Sequence, residues 1–397
     1  MADRSPPDIT QGHGKHRGEP SGKVADFRYK RPSLPDKRDT ASLDATRRSS
    51  QTAPGNGRVP AKQAYAALDL GTNNCRLLIA RPSGGNFTVI DAFSRVVKLG
   101  EGLANNGRLS DAAMERTLDA LHVCAEKLRR RHVRLARSVA TEACRRADNG
   151  EAFIERVRQE TGIALDIISA QEEARLAVLG CHVLLEDGPG PAVIFDIGGG
   201  STELVLVEPS GAVPRIIDWM SIPYGVVSLT DTVGGNDDTG EQRLARYDAM
   251  RNLVTESFAP FTERVSSFAQ DSDNIRLLGT SGTVTTLASV HLGLPQYDRQ
   301  AVDGLIVRSA AMREISERLS RMSPAERRAL PCIGADRADL VVAGCAILES
   351  ILDIWPAPSL GVADRGIREG ILRSLIAADA EGEKSRAEIQ RMREQNL

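Results

Sequence analysis

Asp196 and Glu203 stand in the stretch VIFDIGGGSTELVLV, residues 193–207, where apolar residues run into and out of a glycine turn. The pattern reads as a β-hairpin with two buried strands. A carboxylate inside such a strand is costly unless something holds it, so these two acids need a chemical reason. Between them lie Gly198, Gly199, Gly200 and Ser201. Glycine lets backbone N–H groups come close to an anion, successive N–H groups form a concave anion nest, and the serine hydroxyl adds a donor. Acids beside an anion loop repel the anion unless Mg²⁺ lies between carboxylate and phosphate, because Mg²⁺ takes oxygen ligands and keeps several waters. The chemistry implied is the handling of phosphate.

The same arrangement occurs 127 residues earlier. LDLGTNNCRLLI from Leu68 aligns with FDIGGGSTELVL from Phe195, matching Asp69 with Asp196, Gly71 with Gly198, Asn73 with Gly200, Asn74 with Ser201 and Arg76 with Glu203. A duplicated α/β domain would set its two loops across a cleft, a usual site for a phosphate ligand. Gly71, Thr72 and Asn73 then provide donors on one side and Gly198 to Ser201 on the other, with Asp69 a further metal-facing acid. A third loop, GTSGT at 279–283, lies between a strand and a helix expected to begin near Thr283. Helix N-termini bind anions, so Gly279, Thr280, Ser281 and Gly282 join the expected phosphate-binding set.

Alternating strands and helices must position these loops, which gives an α/β chain. Ser110 is expected to cap a helix with one apolar stripe, Met114, Leu118, Leu121, Ala125 and Leu128. EACRRADNGEAFIERVRQETG reads as one helix stopped by Gly162, and Ser169 with Glu172 as a capping box. The 397 residues suggest two folded domains. Residues 1–62 carry 13 Lys/Arg against 7 Asp/Glu, net +6, while the remainder is net −8. That first segment is rich in Gly, Pro and Ser and reads as a disordered basic tail. The expected layout is 1–63 tail, 64–178 and 179–378 domains, and 379–397 charged tail.

Composition narrows the function. Aromatic content of 4% argues against a stacking-based nucleic-acid binder. No apolar run approaches the ~20 residues of a membrane span, and the N-terminal segment has no apolar core of a secretory signal. The six cysteines are spread without a C-x-x-C pair, which fits reduced thiols in a cytoplasmic protein. The six histidines form no metal-binding spacing. The basic run KLRRRHVRLAR, Lys127 to Arg137, is a candidate path for a polyanion against a solvated helix end.

The paired D-[LI]-G loops and the late GTSGT resemble the actin, hexokinase and Hsp70 superfamily. With VVKLGEGL, SVATEACRRADN, IISAQEEARLAVLG and VADRGIREGIL in order, the chain more narrowly resembles the exopolyphosphatase/guanosine pentaphosphate phosphatase (Ppx/GppA) family. The resemblance implies two duplicated actin-like (ribonuclease H-like) domains facing a central cleft, and Mg²⁺-dependent hydrolysis of a terminal phosphoanhydride bond. It places the catalytic glutamate on Glu173, metal and water-orienting acids on Asp196 and Glu203, and a phosphate-contacting arginine on Arg145. The chain resembles the short, two-domain members, without their relatives' added helical domains. The expected substrate is inorganic polyphosphate, with guanosine pentaphosphate (pppGpp) as the alternative and a homodimer as the expected assembly. A non-catalytic polyphosphate or nucleotide sensor and a sugar or acetate kinase are the competing classes.

Overall fold

The computed structural model describes residues 63–84, 86–188, 190–208, 213–235, 239–266 and 275–395, with side chains described as far as 382. The basic N-terminal segment, residues 1–62, lies outside them. The first lobe is built on β1 (Ala64–Leu70), β2 (Asn74–Ser83), β3 (Asn86–Val96), β4 (Val133–Ala140) and β5 (Leu165–Ile167), in the order β3-β2-β1-β4-β5. The second lobe has β6 (Ala192–Ile197), β7 (Thr202–Glu208), β8 (Arg215–Ile222), β9 (Arg276–Thr280), β10 (Ile306–Arg308) and β11 (Ser359–Ala363), in the order β10-β11-β9-β6-β7-β8. Each sheet thus has an antiparallel three-strand meander whose first strand pairs in parallel with the next strand inward. The second sheet adds β10 as an antiparallel edge.

The internal repeat is therefore a structural one, and its register matches the alignment: Asp69 pairs across the ladder with Arg76, and Asp196 with Glu203. β1 and β6 are almost wholly buried, as strands covered on both faces must be. The helix Asp111–Arg130 starts where Ser110 accepts a bond from the Ala113 N–H, and it buries Leu118, Leu121 and Ala125 with Met114 and Leu128 at the margin.

Three features differ from the sequence expectation. The single helix expected after β4 is two, Glu142–Arg146 and Gly150–Thr161. Its break is held by tertiary bonds: the Asp148 N–H reaches Gly107 O, and the Asn149 amide bridges the N–H and carbonyl of Leu109. The capping box is half formed. Ser169 Oγ accepts from the Glu172 N–H, but the Glu172 carboxylate turns to Arg137 and Arg175.

The third difference concerns the domain boundary at 378. The helix Ile367–Gln395 packs Ile367, Ile371, Leu372 and Leu375 onto Tyr65, Ala67, Leu78 and Ala80 of the first sheet. Asp379, expected to open a tail, accepts bonds from Tyr65 Oη (2.6 Å) and Arg134 Nη2 (3.0 Å). Beside it runs the helix Ala170–Cys181, and the pair meets through glycines: a Cβ on Gly180 would lie 1.9 Å from Gly366 O, and one on Gly370 2.0 Å from Leu176 O. Larger residues would force this inter-lobe crossing apart.

All six cysteines are free thiols. Among the described residues, no helix is long and apolar enough to cross a membrane.

Candidate active site

Both hairpin turns close with the same bond: Gly71 N to Asn74 O and Gly198 N to Ser201 O, each 3.0 Å. The loops touch across the cleft. A Cβ on Gly199 would lie 2.9 Å from Thr72 Cβ, and one on Gly200 2.6 Å from Thr72 Oγ1. Their carbonyls are occupied from behind. Thr72 O accepts from Gly100 N, and Asn73 O from Val97 and Lys98 N. Gly198 O and Gly199 O accept from Val226 and Val227 N at the start of the helix Val226–Val233, and Ser228 Oγ donates to Gly200 O. The N–H groups of Thr72, Asn73, Gly199, Gly200 and Ser201 have no protein acceptor among the described residues. Two loops of unmet donors thus line one cavity with Asp69, Glu173, Asp196 and Glu203, and successive N–H groups of this kind suit an anion.

The acids are crowded. Glu203 is 2% exposed and Glu173 7%. Burial, helped by the charge of Glu203, pushes Asp196 up to about 8. Burial and Glu203 together raise Glu173 well above the usual carboxylate range. Burial raises Glu203 too, although the Ser201 and Ser221 hydroxyls donate to its Oε1 at 2.7 and 2.8 Å. Burial likewise raises Asp69, against the opposing charges of Arg76 and Arg368. This many buried negative charges ask for protons or a cation. Among the described residues no three His, Cys, Asp or Glu side chains stand together as a ready metal cage. Mg²⁺ does not need one: it binds through one or two carboxylates, with waters and substrate phosphate completing its shell. The all-oxygen donors of Asp196 and Asp69 fit that ion.

Other expected contacts lie elsewhere. Arg145 is absent from the cavity wall. Its guanidinium holds Glu142 Oε2 (2.6 Å), Ile168 O (2.6 Å) and Glu173 Oε2 (3.2 Å), so its direct partner is the catalytic-glutamate candidate rather than open space. Gly279 and Thr280 also lie behind the wall. Gly279 is in β9, where a Cβ would strike the Phe195 ring at 2.6 Å, and Thr280 Oγ1 donates to Arg365 O. Ser281 and Gly282 do line the cavity, and Ser281 caps the helix Gly282–His291. Most cations of the basic run from Lys127 to Arg137 already have acidic partners. Lys127 and Arg131 hold Asp91, whose carboxyl these two bonds lower to about 2, while Arg130, Arg134 and Arg137 pair with Glu126, Asp379 and Glu172.

Sequence reasoning left two cleft arginines without a role. Arg76 and Arg337 both line the cavity, and a Cβ on Gly282 would lie 3.7 Å from a guanidinium nitrogen of each. Arg337 Nη1 donates to Thr286 Oγ1 at 2.7 Å. Neither arginine makes an ion pair among the described residues. Arg76 could have been found by asking why a cation occupies Glu203's place in the other hairpin. Arg337 sits in IGADRADL, which carries no local signal. Glu142 was missed as well; it lines the cavity while it holds Arg145.

The profile of the Ppx/GppA phosphatase family matches residues 78–378. The chain belongs to this family. Exopolyphosphatase 2 of Mycobacterium tuberculosis (strain CDC 1551 / Oshkosh) is 31% identical over 323 residues, covering 78% of this chain and 98% of that protein. The crystal structure of the Aquifex aeolicus Ppx/GppA family member superposes with a TM-score of 0.64 at 28% identity, over 80% of this chain and 98% of that one. An exopolyphosphatase from Cytophaga hutchinsonii gives a TM-score of 0.70 at 24% identity, over 80% and 98%, and supports the shared fold. As a Ppx/GppA protein, the chain carries the family's two-lobed actin-like fold, with the paired loops at the junction of the lobes.

Proposed function

We propose that this Ppx/GppA protein is an exopolyphosphatase, which hydrolyses the terminal phosphoanhydride of inorganic polyphosphate and releases orthophosphate. The observation that carries the reading is the cavity itself: two loops of unmet N–H donors, an acidic wall and two unpaired arginines. The terminal phosphoryl oxygens accept from the N–H groups of Thr72, Asn73, Gly199, Gly200 and Ser201. Arg76 and Arg337 neutralise the phosphates that follow, where guanidinium forks suit phosphate oxygens.

Glu173 accepts a proton from the attacking water. As the new oxygen–phosphorus bond forms, the bond to the bridging oxygen of the chain breaks, and the chain leaves one phosphate shorter. Arg145, in contact with Glu173, orients that carboxylate. Its charge also opposes the proton affinity that burial gives Glu173. Glu203, fixed by two serine hydroxyls, orients the water. Asp196 and Asp69 would hold Mg²⁺, which when bound neutralises phosphoryl oxygens.

The family relationship and the likeness to the mycobacterial exopolyphosphatase support this reading. A cytoplasmic location is part of this proposal, and the free thiols support it. The test compares orthophosphate release from polyphosphate and from pppGpp in Mg²⁺, on the full chain. Faster turnover of polyphosphate is expected. A preference for pppGpp would transfer the reading to the nucleotide, and failure on both would overturn it.

A further inference from the structure

A second cavity, about 460 Å³, opens at the seam between the lobes. Its walls come from three places. Phe87 belongs to the outer strand of the first sheet. Arg299 and Gln300 belong to the short helix Arg299–Val302 of the second lobe, with Asp303 just beyond it. Arg365 precedes, and Glu369 and Arg373 belong to, the helix that crosses back to the first lobe. None of these residues lines the catalytic cleft.

The charges in this cavity are unevenly matched. Arg365 Nε bonds Asp303 Oδ2 at 2.7 Å, and Arg299 bonds Glu369 Oε1 at 3.0 Å and Asp364 Oδ2 at 3.1 Å. Each carboxylate already has a cation. Arg373 has none: among the described residues it makes no ion pair, and its guanidinium lies 5.8 Å from the centre of the Phe87 ring. Its Nε is buried without a hydrogen-bond partner. Burial and the neighbouring charge of Arg365 both press against its proton. An unpaired guanidinium beside a second one, with an unmet donor and open volume, lacks an acceptor-rich anion.

We propose that this seam cavity is a second anion site, distinct from the catalytic cleft, for a phosphate-class ligand held by Arg373 with Arg299 and Arg365. The ligand's oxygens fill the missing acceptors, and the Gln300 amide adds a donor at the rim. Because the walls come from both lobes, an occupant spans the seam. The crossing helix links the two cavities: Ile367 lines the cleft, while Glu369 and Arg373, four residues apart and so on one face, line the seam.

Equilibrium dialysis of the full chain in EDTA tests this, with orthophosphate in one arm and tripolyphosphate in the other. EDTA separates the result from turnover, so it stands even if the hydrolytic reading fails. Without Mg²⁺ the acid-lined cleft disfavours anions, so at least one equivalent per chain, the one held at the seam, is expected for the ligand that fits it. One equivalent should be lost in Arg373→Gln, and again in the exposed, fold-neutral Gln300→Glu. The seam equivalent should survive in Arg76→Gln. Seam-dependent binding of orthophosphate alone makes the ligand the free ion, and of tripolyphosphate alone a chain end. No binding in either arm, or binding that is unchanged in both Arg373→Gln and Gln300→Glu, would overturn the proposal.

Discussion

The two hairpins share a turn, a register and a place in their sheets, yet they carry opposite electrostatics. In the first, Asp69 faces Arg76 across the ladder; in the second, Asp196 faces Glu203. A cross-strand acid–base pair and a cross-strand acid pair differ in sign, not in geometry. Burial raises Asp69, but Arg76 opposes the rise, whereas Glu203 adds to burial and drives Asp196 to about 8. The repeat thus supplies two turns closed by the same bond, and one cross-strand position in each copy carries the opposite charge. Under the proposed function, the first wall would neutralise a polyanion, and the second would keep negative charge for a cation, a proton and a water.

The largest expected effect comes from the acidic side. Glu173→Gln keeps the shape but removes the proton acceptor, and kcat should fall by ~10²–10⁴, the usual worth of a general base. Single-turnover phosphate release measures it, and full activity in this variant would remove Glu173 from its role. Asp196→Asn should act next, on stability. Its pKa is raised by folding, so its contribution is fully present below the unfolded value of 3.8 and is lost as pH rises through about 8. In EDTA the wild type should therefore lose stability between pH 4 and 8. Asp196→Asn should stabilise the fold at pH 8.5 by on the order of several kcal/mol, seen as a raised Tm, with the gain shrinking toward pH 5. A Tm difference that does not vary with pH would show that Asp196 is not held protonated.

The basic side should respond differently. Arg76→Gln removes a charge-assisted contact of ~1.5–3 kcal/mol, so KM for polyphosphate should rise roughly 10- to 100-fold, with kcat less affected than in Glu173→Gln. Initial rates over a substrate series separate the two. An equal loss of kcat would mean that the arginine acts on the reacting phosphate, and the contrast between the walls would soften.

What could be read from sequence follows the same division. The hairpins, the repeat and the acids are local: a buried strand interrupted by glycine and charge is visible within fifteen residues, and two copies fix which positions correspond. The GTSGT motif was legible only in part, because it straddles the end of a strand. Gly279 and Thr280 still belong to β9 and pack behind the wall, and only from Ser281 does the chain enter the cavity. Arg337 and the return of the helix Ile367–Gln395 to the first sheet depend on contacts between residues hundreds apart, such as Tyr65 with Asp379. Arg145 shows a third limit. A motif gives an arginine's neighbourhood, but not whether two glutamates have already taken its donors.

The smallest expected effect tests whether the two turns are mechanically as alike as their bonding suggests. Gly71 and Gly198 are aligned, and both donate to the residue that closes the turn. A Cβ on Gly71 would meet Asn74 O at 3.6 Å, an ordinary contact; on Gly198 it would meet Ser201 O at 2.9 Å, and that backbone atom cannot swing aside. Ser201 O is also the acceptor that closes the second turn, so relieving the clash stretches the bond that shapes the nest. Gly71→Ala should change Tm little, whereas Gly198→Ala should cost about 1–3 kcal/mol, the range for a forced backbone shift, with weaker phosphate binding. Thermal melts of both variants, with and without orthophosphate, measure the contrast. Equal losses would mean that the acidic hairpin is no more tightly wound than the basic one, and that the two copies differ in charge alone.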